Sequence, residues 1–137
     1  MTQDSNNLLT ELSCLVVEDN PFTVITLRKA LESLGIAEIT SASNGQEALD
    51  VIDNMKYSPG AILLALRMPI MGGVELLSRL SDRKYTGCVI LISEIDNETQ
   101  SAVEQLAKDS NINLTGRLPV PPNLQELSRL LMKCTDE

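Results

Sequence analysis

Five short apolar segments along the chain alternate with segments whose apolar residues recur every three to four positions. Short apolar segments are typical of buried β-strands, and a period near 3.6 residues is typical of amphipathic helices. The pattern therefore predicts five strands and five helices in strict alternation. The predicted strands cover residues 13–17, 36–42, 61–66, 88–93 and 112–118.

Turn and cap residues indicate where the predicted helices begin and end. Asn20 and Pro21 supply an N-cap and a first-turn proline for the first helix, and Gly35 ends it. The apolar period predicts that each helix buries one face. In the third helix that face is Val74, Leu77 and Leu80, and in the last it is Leu124, Leu127, Leu130 and Leu131.

Strict alternation of strands and helices predicts a parallel sheet with helices on both faces. The first, third and fourth strands are apolar at nearly every position, which is typical of interior strands covered on both sides. The second and fifth strands carry polar residues such as Glu38 and Arg117, so we expect them at the edges. The fold class is thus α/β, a single doubly wound flavodoxin-like (βα)5 domain over residues 1–137, with an ordered core at about 12–134 and strand order 2-1-3-4-5. A functional site is expected where the first and third strands end.

Composition and charge exclude several functions. The chain has 19 Asp and Glu against 11 Lys and Arg, a net charge of −8, and no histidine. Without histidine there is no Ser-His-Asp or Cys-His pair, no histidine-ligated zinc and no histidine phosphorylation on this chain. The acidic charge and the few aromatic residues also argue against binding nucleic acid.

Nothing in the chain predicts membrane association or export. No apolar run approaches the roughly 18 residues of a membrane span, and the N-terminus lacks a basic region followed by a cleavage site. We therefore expect a cytoplasmic protein. Cys14, Cys88 and Cys134 are an odd number without CxxC spacing, and we expect them to be buried reduced thiols.

Four sequence motifs follow predicted strands. The first strand leads into Glu-Asp-Asn-Pro at 18–21, and the third into Leu-Arg-Met-Pro-Ile-Met-Gly-Gly at 66–73. The fourth ends in Val-Ile-Leu-Ile-Ser at 89–93, and the fifth in Leu-Pro-Val-Pro at 118–121. With these motifs at these intervals, the chain resembles the receiver domain of bacterial response regulators over nearly its whole length.

The resemblance implies a known chemistry. In working receivers an aspartate that ends the third strand attacks a phosphorus atom supplied by a partner histidine kinase. Two acids after the first strand hold Mg²⁺, a lysine after the fifth pairs with the phosphoryl oxygens, and a Ser or Thr after the fourth donates a hydrogen bond to one of them. The cations are needed because a carboxylate and a phosphoryl group repel each other.

The resemblance also implies that this chemistry is lost. Glu18 and Asp19 match the acid pair and Ser93 matches the hydroxyl, but Ala65 occupies the nucleophile position and Val120 the lysine position. Neither a methyl nor an isopropyl group can replace those functions. An aromatic residue that the family often has three positions before the lysine is here Arg117, so the usual response to phosphorylation is also expected to be absent.

The retained residues have alternative interpretations. Glu18 and Asp19 either cap the helix that starts at Pro21 or form a weak or vestigial Mg²⁺ or Ca²⁺ site assisted by Glu94 and Asp96. No cofactor is otherwise expected. The Ser93 hydroxyl either makes a local hydrogen bond at the end of the fourth strand or keeps the role of the hydroxyl that the family has there.

The resemblance predicts a pseudo-receiver, a non-enzymatic two-component signalling module that acts by phosphorylation-independent protein–protein interaction. The alternative is a phosphoacceptor response regulator in which Ala65 is an engineered substitution or in which Ser93, Glu18 or Asp19 accepts the phosphate. Two losses at coupled positions, Ala65 and Val120, favour natural loss.

The resemblance also implies a class of partners. These are a histidine kinase, another response regulator or an EAL-type protein, and a homodimer through the last two helices and the fifth strand is a further expectation. Residues 86–93, 106–107 and 114–118 are similar to receivers that precede EAL cyclic-di-GMP phosphodiesterase domains.

Overall fold

The computed structural model describes residues 9–92 and 96–135, and within them the predicted alternation of strands and helices is confirmed. The elements, in chain order, are β1 (Ser13–Val17), α1 (Pro21–Ser33), β2 (Glu38–Ala42), α2 (Gly45–Asn54), β3 (Ala61–Leu64), α3 (Gly73–Asp82), β4 (Cys88–Leu91), α4 (Asn97–Asp109), β5 (Asn113–Arg117) and α5 (Leu124–Thr135).

The strands form one parallel sheet in the order β2-β1-β3-β4-β5, which confirms the predicted topology. All four residues of β3 and of β4 are buried, as expected for interior strands covered by helices on both faces. The two edge strands are more exposed, and Glu38, Asn113 and Arg117 face solvent. Strand order thus follows from how much of each strand is apolar.

The core consists of two apolar layers, one on each face of the sheet. Successive residues of a strand point to opposite faces, so Val16 joins one layer while Leu15 and Val17 join the other. The first layer includes buried leucines of α1 and α5, and the second those of α2 and α3. Because both layers are filled, the polar chemistry of this fold is confined to the edges of the sheet.

Strand bounds differ from the prediction at Ile36. This residue is buried at 2% exposure, yet β2 begins at Glu38. The Ile36 N–H donates to the Leu31 carbonyl at 3.2 Å and so belongs to the end of α1. Gly35, at φ 92°, makes that turn in a left-handed conformation that costs a glycine little.

Two helix positions predicted to be buried are half exposed. Val74 is 50% exposed and Leu124 is 45% exposed. Leu124 lies in the first turn of α5, before the part of the helix that buries Leu127, Leu130 and Leu131. Val74 instead lies beside the buried face of α3, which consists of Gly73, Leu76, Leu77 and Leu80. The helical period identifies a face, but it does not say how far along that face the sheet extends.

The prediction of three reduced thiols is wrong for two of the cysteines. Cys88, the first residue of β4, forms a disulfide with Cys134 in the last turn of α5, with 5.4 Å between their Cα atoms. Cys14 is a free and buried thiol. The two bonded cysteines are 46 residues apart, so no short cysteine spacing in the sequence indicates the bond.

Within residues 9–92 and 96–135, no helix is long and apolar enough to cross a membrane.

Candidate functional site at the carboxyl edge of the sheet

The residues after β1 and β3 lie side by side at the carboxyl edge of the sheet, as predicted. Val17 and Leu64 are register partners at the ends of these strands. The Ala65 N–H donates to the Val17 carbonyl at 3.0 Å, and the Glu18 N–H donates to the Ala42 carbonyl on the other side at 3.0 Å. Glu18 and Ala65 therefore begin neighbouring loops that leave the same edge.

The acid pair is only partly compensated. Glu18 is half-buried and its Oε2 accepts a hydrogen bond from the Asn20 N–H at 3.1 Å, while Asp19 is exposed. The pKa of Glu18 is raised, mainly by burial and further by the side chain and negative charge of Asp19. The hydrogen bond from the Asn20 N–H lowers it, but by less than burial raises it. No Lys or Arg side chain of the described residues contributes to this shift.

The side chain that caps α1 is Asn20, rather than Glu18 or Asp19. Its Oδ1 accepts from the Phe22 N–H at 2.9 Å and from the Thr23 N–H at 3.4 Å, and Pro21 occupies the first turn. The predicted cap and first-turn proline are thus confirmed. Glu18 also contributes at this helix start, because its Oε2 accepts from the backbone N–H of the cap residue Asn20, whereas the capping side chain is that of Asn20.

Ala65 places a methyl group where the third strand ends. It is 4% exposed and belongs to the same apolar layer as Val16 and Ile92. Close packing surrounds it, because a Cβ at Gly73 would lie 2.6 Å from the Ala65 carbonyl oxygen. This position offers no nucleophile and no metal ligand.

Val120 contributes an apolar side chain to the same region. It is half-buried and packs against the layer that contains Ala65, and the Val120–Pro121 peptide bond is cis. Arg117, the last residue of β5, is exposed and pairs in register with Leu91. The end of β5 therefore brings an isopropyl group, and no ammonium group, towards the carboxyl edge.

The described part of the chain does not bring together enough carboxylates for a divalent cation site. Within residues 9–92 and 96–135, no group of three or more His, Cys, Asp or Glu side chains could hold a metal ion. Asp96, predicted to assist, is the N-cap of α4, and its carboxylate accepts from the Thr99 N–H at 2.7 Å. That hydrogen bond, more than the nearby charge of Arg67, holds the pKa of Asp96 below its usual value. Ser93 and Glu94 lie outside the described residues.

Sequence reasoning missed a set of exposed apolar side chains at this edge. They lie in the loop after β3 or in the first turn of a helix, where the chain leaves the carboxyl edge. Ile70 also has φ 68°, a left-handed conformation that is rare for a β-branched residue. The set, called here the apolar rim, is Phe22 (78% exposed), Ile70 (82%), Val74 (50%) and Leu124 (45%). Phe22 lies off the apolar face of α1 and Ile70 lies in a loop, and an apolar residue in either place is the signal that could have found them.

Residues 14–115 match the model of the response regulator receiver domain family. The chain is 29% identical over 126 residues to the positive alginate biosynthesis regulatory protein of Pseudomonas aeruginosa, which covers 90% of this chain and 47% of that protein. It is 29% identical over 125 residues to the cyclic di-GMP phosphodiesterase RocR of the same organism, covering 91% of this chain and 32% of that protein. The chain thus spans less than half the length of either relative.

Solved structures show the same fold. A response regulator receiver protein from Pseudomonas putida superposes with a TM-score of 0.75 at 26% identity, covering 89% of this chain and 96% of that one. The chemotaxis protein CheY4 of Vibrio cholerae superposes with a TM-score of 0.72 at 23% identity, covering 90% and 98%. These similarities extend over almost all of both chains.

Proposed function

Because the chain belongs to the response regulator receiver domain family, we propose that it is a pseudo-receiver, a signalling module that catalyses no reaction and acts through phosphorylation-independent protein–protein contacts. The observation that carries this proposal is Ala65, a buried methyl group immediately after β3. Receivers of two-component systems need a carboxylate there to accept the phosphoryl group. A carbon-bound methyl group has no lone pair with which to attack phosphorus.

Val120, in the loop after β5, supports the same conclusion. A phosphoryl group on the sheet edge would need a cation to offset its charge. The half-buried Val120 side chain packs on the apolar layer instead. Losing nucleophile and cation together is physically consistent, since a lysine without its anionic partner would be an unpaired charge beside apolar residues.

Glu18 and Asp19 do not substitute for the missing aspartate. Both follow β1, one strand away from the end of β3, and in-line displacement tolerates only small changes in the position of the attacking atom. We infer that the two acids bind Mg²⁺ weakly at most and that the domain needs no cofactor. A bound Mg²⁺ would offset negative charge here, but a third carboxylate ligand is missing.

The apolar rim supports protein–protein contact as the activity. Its four side chains are exposed where the chain leaves the carboxyl edge and are available for apolar contact with a partner. Partners in our proposal are other cytoplasmic signalling proteins, either a histidine kinase, a response regulator or an EAL-type protein. The similarity to RocR supports a role in cyclic-di-GMP signalling. A homodimer through α4, β5 and α5 is a second mode of assembly that size measurement in solution would detect.

A thermal-shift experiment with beryllofluoride and Mg²⁺ tests the proposal. Beryllofluoride mimics a phosphoryl group on an aspartate, so we expect no change in melting temperature for the natural chain. The double variant Ala65→Asp/Val120→Lys is the matched control and should be stabilised by the same additions. Stabilisation of the natural chain with 1:1 uptake would refute a phosphate-independent module.

Labelled acetyl phosphate tests the alternative in which another residue accepts the phosphate. We expect no label on the chain after incubation with Mg²⁺. Hydroxylamine-labile label would identify Glu18 or Asp19 as the acceptor, and acid-stable label would identify a hydroxyl such as Ser93. Either result would restore the phosphoacceptor interpretation.

A further inference from the structure

The disulfide joins two elements that are distant in sequence and close in the fold. Cys88 begins β4 at the amino edge of the sheet and is 1% exposed, and Cys134 lies half-buried in the last turn of α5. Their Cα atoms are 5.4 Å apart, within the range of roughly 4.4–6.8 Å that a disulfide spans without moving the backbone. The fold thus brings the two thiols into bonding position by itself.

The last turn of α5 has few other attachments. The buried residues of α5 are Leu127, Leu130 and Leu131, and none of the following residues up to 135 is fully buried. Met132 and Cys134 pack only partly against the apolar layer, and the Thr135 hydroxyl bonds within the helix to the Met132 carbonyl. The bond to Cys88 is therefore the main link between this turn and the sheet.

The third cysteine lies near the pair without being able to exchange with it. Cys14 and Cys88 are both register partners of Ala61, so they lie two strands apart, about 10 Å, in one apolar layer. Burial raises the pKa of Cys14 to about 12. A disulfide exchanges only with a thiolate that touches one of its sulfurs, so the separation of two strands keeps Cys14 from exchanging with the pair.

We propose that Cys88 and Cys134 form a reversible redox-sensitive staple that controls whether the end of α5 is held on the sheet. The oxidant is a small-molecule disulfide of the glutathione class. The half-buried Cys134 loses its proton to solvent, its thiolate attacks one sulfur of the small disulfide, and the first small thiolate leaves. Cys88 is covered in the folded chain, so the second step takes place when the loosely held end of α5 lifts from the sheet and lets solvent reach it. Cys88 then loses its proton and attacks the Cys134 sulfur, the second small thiolate leaves, and both leaving groups take up protons. Two protein thiols are oxidised to one disulfide and one small disulfide is reduced to two thiols.

The proposal does not rest on the pseudo-receiver function. It concerns the amino edge of the sheet and the end of α5, away from Glu18 and Ala65. In the oxidised form α5 is fixed to β4 through its last turn, and in the reduced form residues 132–135 are held only by partial packing. A partner that contacts the end of α5 would then distinguish the two forms.

The experiment compares the full 137-residue chain after equilibration with oxidised glutathione and after reduction. We expect oxidation to lower the mass by two hydrogens, with one crosslinked peptide pair containing Cys88 and Cys134. Oxidation should also raise the melting temperature by roughly 5–15 °C. Amide hydrogen exchange at residues 132–135 should speed up at least tenfold on reduction, while β4 itself stays protected.

Two variants serve as controls. Cys134→Ser removes the staple at a half-buried position, so its melting temperature and exchange should match those of the reduced natural chain under both conditions. Cys14→Ser keeps the staple and should retain the full difference between oxidised and reduced forms. The proposal is overturned if both Cys88 and Cys134 remain alkylatable after oxidation or if the crosslink contains Cys14. It is also overturned if exchange at residues 132–135 is the same in both forms.

Discussion

Replacing Ala65 by aspartate restores a third carboxylate at the carboxyl edge, and its effect on stability tests how that edge is organised. The new side chain would begin where a 4% exposed methyl group now packs, next to the half-buried Glu18. Neighbouring strands place the two carboxylates about 6 Å apart, slightly more than the strand spacing. At an effective dielectric constant of about 20, two negative charges at that distance repel each other by about 2.8 kcal/mol.

That repulsion predicts both the size and the pH dependence of the loss. We expect Ala65→Asp to lower the free energy of unfolding by about 2–3 kcal/mol at pH 7, which corresponds to a melting temperature about 10 °C lower. The same energy would raise the pKa of the new carboxyl group from about 4 in the unfolded chain to about 6 in the folded one. The cost is therefore full above pH 6 and disappears as the pH falls towards 4, because the folded state then binds the extra proton.

Magnesium provides the second half of the test. Three carboxylates form a better site than two, so Mg²⁺ at 100 times its dissociation constant would return about 2.7 kcal/mol to the variant. Urea unfolding at pH 7 and pH 4.5, with and without Mg²⁺, measures both effects. Ala65→Asn is the matched control, with nearly the same volume and no charge, and should respond to neither Mg²⁺ nor pH. Equal losses for Asp and Asn at pH 7, or an equal Mg²⁺ response in the natural chain, would refute this reasoning.

Three further substitutions test other parts of the structure. Asn20→Ala removes the side chain that caps α1 and should lower the free energy of unfolding, measured in urea, by about 1 kcal/mol, whereas Asn20→Asp should lower it much less. Equal losses for the two variants would show that the cap contributes nothing. Glu18→Gln removes a carboxyl group whose pKa is raised by burial, so the variant should be more stable than the natural chain near pH 7 and should lose that advantage at pH 4. A gain in stability that does not depend on pH would contradict this. Leu64→Ala opens a cavity in a fully buried strand and should cost about 2–5 kcal/mol, while Leu124→Ala at 45% exposure should cost much less; similar costs would be inconsistent with the observed packing.

The order of the strands was predictable because a strand that is buried on both faces is apolar along its whole length, and this is visible in the sequence. Every residue of β3 and β4 must contact apolar neighbours, so both strands consist wholly of apolar residues. The edge strand β5 has solvent on one side and tolerates Asn113 and Arg117. The same reasoning located the candidate site, because parallel strands bring their carboxyl ends to one edge.

Local signals did not reveal contacts between elements. Whether Leu124 in α5 is buried depends on where the helix meets the sheet, and a helical period carries no information about that point. The apolar rim is likewise a property of the folded surface, since its members come from separate loops and helices. Met71, whose carbonyl accepts from the Gly45 N–H at 2.8 Å, ties the loop after β3 to α2 in a way that no local pattern indicates.

By itself, the sequence determined the element order, the sheet topology, the cap of α1 and the presence of alanine and valine where a receiver needs aspartate and lysine. Each of these depends on residues that are close together in sequence. The repeat of a strand or a helix also spans only a few residues, so the sequence displays it directly. Only the tertiary structure decided which apolar side chains stay exposed at the carboxyl edge and that Cys88 lies against Cys134, 46 residues away in sequence. These contacts depend on how strands pair and how helices cross the sheet, so they form only when the whole chain packs.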